Sequence, residues 1–504
     1  MSEAAAPGAA TRGTTRPQPL WLPGPVVWGA AAVAAIILSR GKLTDIALPA
    51  FAFYAILVAL GPPVPAMVML IVVSSLDGIF KGVATGWFTL LFKDVILWLA
   101  VLRWAALRKH GQYAEVPRVT VVAIMAAFVL WVCAEGINVF TLSWLVALAG
   151  IRAWAGWMPT FFVAYEGIRK RRDVAVLWLT LVFAAGLTGA YGTVQQAIGY
   201  DHLLRVSPAF AYVEHTKLSG GATYRAMSTL PYPGMFGHYM ATVLPLGLAF
   251  FLAPLLPLRL RWLSALAVLG MAGGALASGG RLAAASAMTC ALLFLLLSRQ
   301  ARVVFVGLLV AVLLTSVAVK LVAPTAVTRV SHVFDMAVTL DRVIHPFRQG
   351  FRAISEHPLG TGVATGVGLG RAARLLGTRV KIEQEAGGMI EGDFGRAFRE
   401  LGLPGGFLFL CLVGHVLSRG MAVHRRMRHP GWRVVSAALV AVLISEALGL
   451  LVGPAFYLMP VAALFWLAYA SLLRLEQITH QREQEAAGEG GTPALGTPTP
   501  VAAD

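Results

Sequence analysis

Two arginines and two carboxylates are the side chains best suited to chemistry in this sequence. Arg225 stands in Tyr224-Arg225-Ala226-Met227-Ser228-Thr229-Leu230-Pro231-Tyr232-Pro233-Gly234-Met235-Phe236-Gly237-His238, and Arg281 closes Ser278-Gly279-Gly280-Arg281. Both fall at the mouths of apolar segments, where a lipid headgroup would sit. A guanidinium there can fork across two phosphate oxygens. It can equally snorkel and pair with lipid phosphate. Glu391 and Asp393 lie in a long polar loop. A carboxylate can take the proton from an attacking hydroxyl, and a solvated loop acid is the plain alternative. The same loop carries Arg342, Arg348, Arg352, Arg371, Arg374, Arg379 and Lys381. Such a basic loop suits an anionic glycan or a diphosphate, and also simple solvation.

Other chemistries find no support. There is no Walker A, GxSxG or HExxH sequence, and the run Gly360-Thr361-Gly362-Val363-Ala364-Thr365-Gly366-Val367-Gly368 does not fit GxGxxG. His202, His215, His238, His332, His345 and His357 are scattered outside or near the boundaries of apolar segments, without metal-ligand spacing. No metal and no cofactor is expected. Cys133, Cys290 and Cys411 sit inside apolar runs and read as small buried hydrophobes, with no CxxC pair.

The elements that must hold these residues are set by composition. Of 504 residues, 58% are apolar and 13% charged, against about 25% charged in an ordinary soluble protein. The mean hydropathy is +0.74. A soluble fold cannot hide that much apolar surface, so the bilayer must be the solvent for most of it. A soluble enzyme, a secreted disulfide scaffold and a disordered chain are excluded. The net charge of +17 fits the arginine excess of cytoplasmic loops in a multi-pass protein. No nucleic-acid motif accompanies it. The fold class expected is therefore an all-α polytopic membrane protein.

A spanning helix needs about 20 mostly apolar residues. Fourteen segments qualify: roughly 23–39, 45–60, 63–80, 87–107, 119–140, 143–167, 174–198, 233–255, 260–278, 281–298, 302–322, 402–418, 433–452 and 454–474. The chain then divides into a low-complexity tail (1–22), eleven spans (23–322), one large loop subdomain (323–401), three spans (402–474) and a second polar tail (475–504), both tails reading as disordered. Loops after even-numbered spans carry sixteen basic residues, among them Arg169 to Arg172 and Arg425, Arg426 and Arg428, while short loops after odd-numbered spans carry four. The positive-inside rule puts both tails in the cytoplasm and both long loops, 199–232 and 323–401, outside. Asp77, Lys93, Asp94, Glu135, Arg152 and Glu446 fall in the outer halves of their spans, and Arg103 and Glu166 near inner ends. Ionisable residues at that depth either pair between helices or line an outward-facing polar cavity.

Three segments taken together resemble the O-antigen ligase / Wzy-polymerase family of bacterial surface-polysaccharide enzymes: the Arg225 segment leading into a helix, the turn ending at Arg281, and the stretch from Ile354-Ser355-Glu356-His357-Pro358-Leu359-Gly360-Thr361-Gly362 through Glu391-Gly392-Asp393-Phe394 to Glu400-Leu401-Gly402-Leu403-Pro404-Gly405. The resemblance covers roughly residues 140–420. It departs in two places. The family's SRG-like turn reads Ser-Gly-Gly-Arg, and its His-Asn slot, nine residues before Glu400, holds Glu391-Gly392. The missing histidine favours a polymerase over a strict ligase.

The resemblance implies a fold similar to GT-C-like lipid-dependent glycosyltransferases, with about fourteen transmembrane helices, in the bacterial inner membrane with its active site facing the periplasm. It implies polymerisation of undecaprenyl-diphosphate-linked oligosaccharide repeat units into surface polysaccharide. Arg225, Arg281, Arg352, His357 and Arg152 would bind diphosphate or glycan, and Glu391 or Asp393 would serve as base. Partners would be the lipid-linked oligosaccharide, membrane lipid, and a chain-length regulator or other polysaccharide-assembly proteins. A ligase transferring glycan to a lipid or protein acceptor shares this chemistry. A lipid-linked oligosaccharide flippase is the alternative from another class, although such transporters usually show repeated halves, and none is visible here.

Overall fold

The computed structural model describes residues 61–79, 88–110, 120–141, 143–199, 224–298, 336–365, 392–453 and 459–489, with a few isolated positions between them. All lie in one compact unit, Tyr54–Asp504. Among the described residues there are thirteen helices of nine residues or more. In chain order they are α1 (Pro63–Ser74), α2 (Phe88–Lys109), α3 (Thr120–Glu135), α4 (Trp144–Ala155), α5 (Pro159–Gly167), α6 (Arg171–Ile198), α7 (Pro233–Leu252), α8 (Leu258–Ala277), α9 (Arg281–Leu297), α10 (Met336–Glu356), α11 (Asp393–Arg426), α12 (Pro430–Val452) and α13 (Val461–Glu489).

Among the described residues, seven stretches are long and apolar enough to cross a membrane: Trp144–Gly167, which joins α4 and α5, and then α6, α7, α8, α11, α12 and the Val461–Gln481 part of α13. Helices α1 and α3 and residues 283–297 are apolar but shorter. The fourteen expected spans are thus met in part. Eleven coincide with described helices, while 23–39, 302–322 and nearly all of 45–60 lie outside the described residues. The last expected span begins at Val461 rather than 454, and its helix runs on to Glu489, into a stretch expected to be a disordered tail. There Glu476 holds Arg419 at 2.8 Å and Arg426 at 3.3 Å, which ties the end of α13 to the end of α11.

Close helix packing follows from small residues. Helices α6 and α8 meet most extensively. A methyl group on Gly189 would lie 2.3 Å from the Gly270 carbonyl oxygen, and one on Gly270 would lie 2.4 Å from that of Gly186. Backbones can approach this closely only where side chains are absent, which is how helices associate without a hydrophobic drive.

Two stretches of irregular backbone are buried in this bundle, and in both many of the polar groups find partners, as a membrane interior demands. The first is 224–232. Gln195 of α6 accepts from the Met227 and Ser228 amides at 3.1 and 2.7 Å. The Ser228 hydroxyl donates to the Thr188 carbonyl at 2.6 Å, and the Ala226 amide to that of Ala277 at 3.1 Å. What reads as the end of an external loop is therefore packed inside the protein.

The second is the break in α11. Gly402 has φ +62°, and a methyl there would sit 2.2 Å from the Leu359 carbonyl carbon. The carbonyls freed before the break receive donors. Thr361 N donates to Arg399 O at 2.9 Å and Gly362 N to Glu400 O at 3.1 Å, while Trp131 Nε1 donates to Leu401 O at 2.8 Å. The helix thus begins at Asp393, nine residues before the expected span, and the loop motif 357–362 is the clasp that holds the break. Helix α10, inside the stretch expected as a loop subdomain, lies along α11. Phe347 stacks on Phe394 and Phe351 on Phe398, with ring centroids 6.1 and 5.9 Å apart.

Candidate functional site

Two of the three sequence segments singled out above reach the last turns of α12, and the remaining one, the Ser278 turn, packs against the first. On one side, Gly237 of α7 is pressed against the turn after α8. A methyl at Gly237 would lie 2.3 Å from Ser278 Oγ. The next residue, His238, reaches Glu446 of α12, Nε2 to Oε2, at 3.4 Å. On the other side, a methyl at Gly392 would lie 2.4 Å from the Leu451 carbonyl oxygen. The following residue, Asp393, accepts from the Phe456 amide at 2.7 Å.

Arg225 lies on the Ser278-Gly279-Gly280 turn. Its Nε donates to the Ser278 carbonyl at 2.9 Å. Gly279 has φ +56°, and the Cβ positions of Gly279 and Gly280 point at the Arg225 side chain, 3.5 and 3.6 Å from its nearest atoms. A Cβ at either position would meet Arg225 at ordinary contact distance, and it is the positive φ that calls for glycine at 279. Gly280 caps α9, so the backbone of Arg281 begins a helix on the same turn. Two segments far apart in sequence therefore bring their arginine positions to one place. The Arg281 side chain and all of Glu391 fall outside the described residues.

Asp393 is fully buried, and both its oxygens are engaged. Oδ1 accepts from Arg396 at 2.8 Å and Oδ2 from Phe456 N. Arg396 also faces Glu400 at 3.5 Å, and its guanidinium carbon stands 3.9 Å over the Trp154 ring. Glu400 Oε2 accepts from Trp154 Nε1 at 2.7 Å and from the Ala364 amide at 3.0 Å. This network ties α4, α11, the 360–365 loop and the turn before α13 together. The placement of Asp393 suits a residue that positions α11 better than one poised as a base.

The remaining expected site residues lie elsewhere. Arg152 makes a two-pronged pair with Asp94 of α2, at 2.6 and 2.8 Å. Arg352 is exposed and pairs with Glu356 one turn on, at 3.1 Å. His357 is half-buried at the end of α10, its ring edge-on to Phe140 with centroids 4.9 Å apart. The structure does not bring these three together with Arg225. Asp94 is only 14% exposed, so Arg152→Ala leaves a largely buried carboxylate without its cation and is expected to lower stability by more than the ~0–1 kcal/mol of a surface pair, toward the ~3–5 kcal/mol of a buried one. A lowered thermal unfolding midpoint checks this.

Of the two alternatives for the ionisable residues at depth, pairing is what the described residues show for most of them, between helices or within one segment. Lys93 pairs with Asp77 at 2.8 Å with both buried, and Glu166 accepts from Trp104 Nε1 at 2.7 Å. Glu135 accepts from Asn138 at 2.8 Å. Cys290 is buried as expected, but Cys133 is exposed and Cys411 intermediate. The His238–Glu446 pair escapes sequence reasoning because its members are 208 residues apart. The available signal was that both are ionisable and lie at similar distances from helix ends, five residues into α7 and six from the end of α12. No protein-family model and no curated protein matches the chain.

Proposed function

We propose that this protein is a membrane glycosyltransferase that polymerises undecaprenyl-diphosphate-linked oligosaccharide repeat units into surface polysaccharide, in the bacterial inner membrane with its site toward the periplasm. The observation that carries the reading is the meeting of Arg225 with the glycine turn that starts the Arg281 helix. Two arginine positions at one turn suit a diphosphate, which needs cations as it leaves. Diphosphate departure drives the transfer without nucleotide hydrolysis, in keeping with the missing nucleotide motifs. The buried backbone of 224–232 fixes Arg225 before substrate arrives, so little reorganisation is needed as charge develops.

Deletion of the gene tests the reading through glycan chain length. A polymerase loss leaves single repeats on the surface. A ligase loss leaves long chains on the carrier lipid. Unchanged glycan in the deletion strain rejects both. In the same cells, a cysteine placed at Gln384 should label from outside before lysis. Labelling only after lysis overturns the proposed orientation, and the reading with it.

A further inference from the structure

Glu446 and His238 form a buried ionisable pair with one unused atom on each partner. Their side chains are 3% and 6% exposed. Gly449, one turn beyond Glu446, makes room for the imidazole: a methyl there would lie 2.7 Å from Nε2. Neighbouring polar groups are paired, Thr242 with Ser445 at 3.1 Å. Yet among the described residues His238 Nδ1 and Glu446 Oε1 have no hydrogen-bond partner. Buried polar atoms are nearly always bonded, so two orphans on one pair mark a place where a ligand group belongs. Glu446 also borders a tight apolar gap with Leu450, Ala455, Phe456, Ala462 and Phe465, too small to hold a water molecule.

The chemistry of the pair follows from which atom faces which. An ionised Glu446 can only accept, so His238 Nε2 must carry the hydrogen between them. That leaves Nδ1, the orphan atom, with its lone pair free to take a proton. The 3.4 Å separation is long for a hydrogen bond, and catalytic contacts of this kind often tighten only when substrate is bound. The adjacent Gly237 packs on Ser278 of the turn that holds Arg225, so His238 follows by one residue the point where its helix meets that turn.

We infer that His238 accepts the proton of the attacking sugar hydroxyl, with Glu446 holding the imidazole in the required tautomer. This rests on the glycosyl-transfer reading. In the step, the hydroxyl oxygen forms the new bond to the anomeric carbon. The bond from that carbon to the diphosphate oxygen breaks, and the diphosphate leaves with the bonding pair toward Arg225. The hydroxyl proton passes to Nδ1. Glu446 balances the imidazolium until the proton returns to solvent with product release. Asp393, with both oxygens engaged, then serves as a positioning residue for α11.

The test uses the full chain in the cells that make the glycan, and the purified full chain for binding undecaprenyl diphosphate. His238→Gln is expected to slow chain growth at least ~100-fold, the range of general-base catalysis, with protein level and undecaprenyl diphosphate binding within about twofold of the parent by that account. Glu446→Gln should slow growth by up to ~10⁴-fold, through loss of the charge that supports the imidazolium and fixes its tautomer. Added imidazole should restore part of the growth lost in His238→Gly, in proportion to its neutral form as pH is varied, a dependence that cavity filling alone would not show. Normal chain length in His238→Gln overturns the inference, and so does a fall in undecaprenyl diphosphate binding that parallels the fall in growth. If His238→Gln does not accumulate, Glu446→Gln decides, and undiminished growth overturns the assignment. A deletion strain with unchanged glycan overturns the function itself. A deletion phenotype with a normal His238→Gln strain overturns only the role of His238.

Discussion

Replacing Arg396 with alanine is expected to remove most folded protein from the membrane. Its guanidinium is 1% exposed and sits between two carboxylates, Asp393 at 2.8 Å and Glu400 at 3.5 Å, with the Trp154 ring 3.9 Å from its central carbon. Alanine leaves both acids buried without their cation. Breaking a buried pair from one side costs about 3–5 kcal/mol, against a total stability of about 5–15 kcal/mol for an ordinary domain. The damage would spread, because Glu400 also holds Trp154 and the Ala364 amide, and Asp393 holds the Phe456 amide. Arg396→Lys should be intermediate. It keeps a charge but cannot reach two carboxylates in a plane while covering the indole face. The amount of protein in membranes and the unfolding midpoint in detergent check this. A variant with the parent's level and midpoint would show that the network contributes little.

How much of this was legible beforehand divides by physical cause. The helices were legible, because burial in lipid requires long apolar runs, and eleven expected spans fall on described helices. The break at Gly402 was not. Its apolar surroundings read as the start of a span, and only the left-handed φ and the donors from Thr361, Gly362 and Trp131 reveal a helix interrupted and clasped. The segment 224–232 read as loop because it holds serine, threonine and a proline, with a second proline following at 233. Hydropathy cannot register that Gln195, Thr188 and Ser75 provide partners for it inside the bundle. The depth of the ionisable residues was legible, but their partners were not. Lys93–Asp77 and Arg152–Asp94 are tertiary facts about which helix faces which. The motifs were guides to place. Arg225 and the Ser278–Gly280 turn meet, and Asp393 lies in a buried network with Arg396 and the Phe456 amide.

Arg225→Ala is the variant expected to cost the most activity per folded molecule among the proposed phosphate ligands. Its Nε is already committed to Ser278 O at 2.9 Å, which aims the rest of the fork across Gly279 and Gly280 toward the start of α9. A cation held in place before the reaction stabilises developing charge without reorganising. Removing one such contact costs about 2.7–4 kcal/mol, or ~10²–10³-fold in rate. Alanine also deprives the Ser278 carbonyl of a donor, worth about 1–3 kcal/mol if that group stays buried. Chain growth must therefore be normalised to the protein present in membranes. Arg225→Lys separates the two effects. A lysine ammonium can carry the charge, but it cannot bond Ser278 and fork across two phosphate oxygens as one rigid plane. Growth should recover only partly, even where the protein level recovers fully. Arg281→Ala should lower growth at least ~10-fold by the same reasoning about a charged contact in the transition state, with Arg281→Lys again partial. If both alanine variants polymerise at the parent's rate, these arginines serve the bilayer interface alone, and the diphosphate must be held by other cations. Full rescue by both lysines would mean that charge at this end of the bundle is enough, without the fork that the Ser278–Gly280 turn orients.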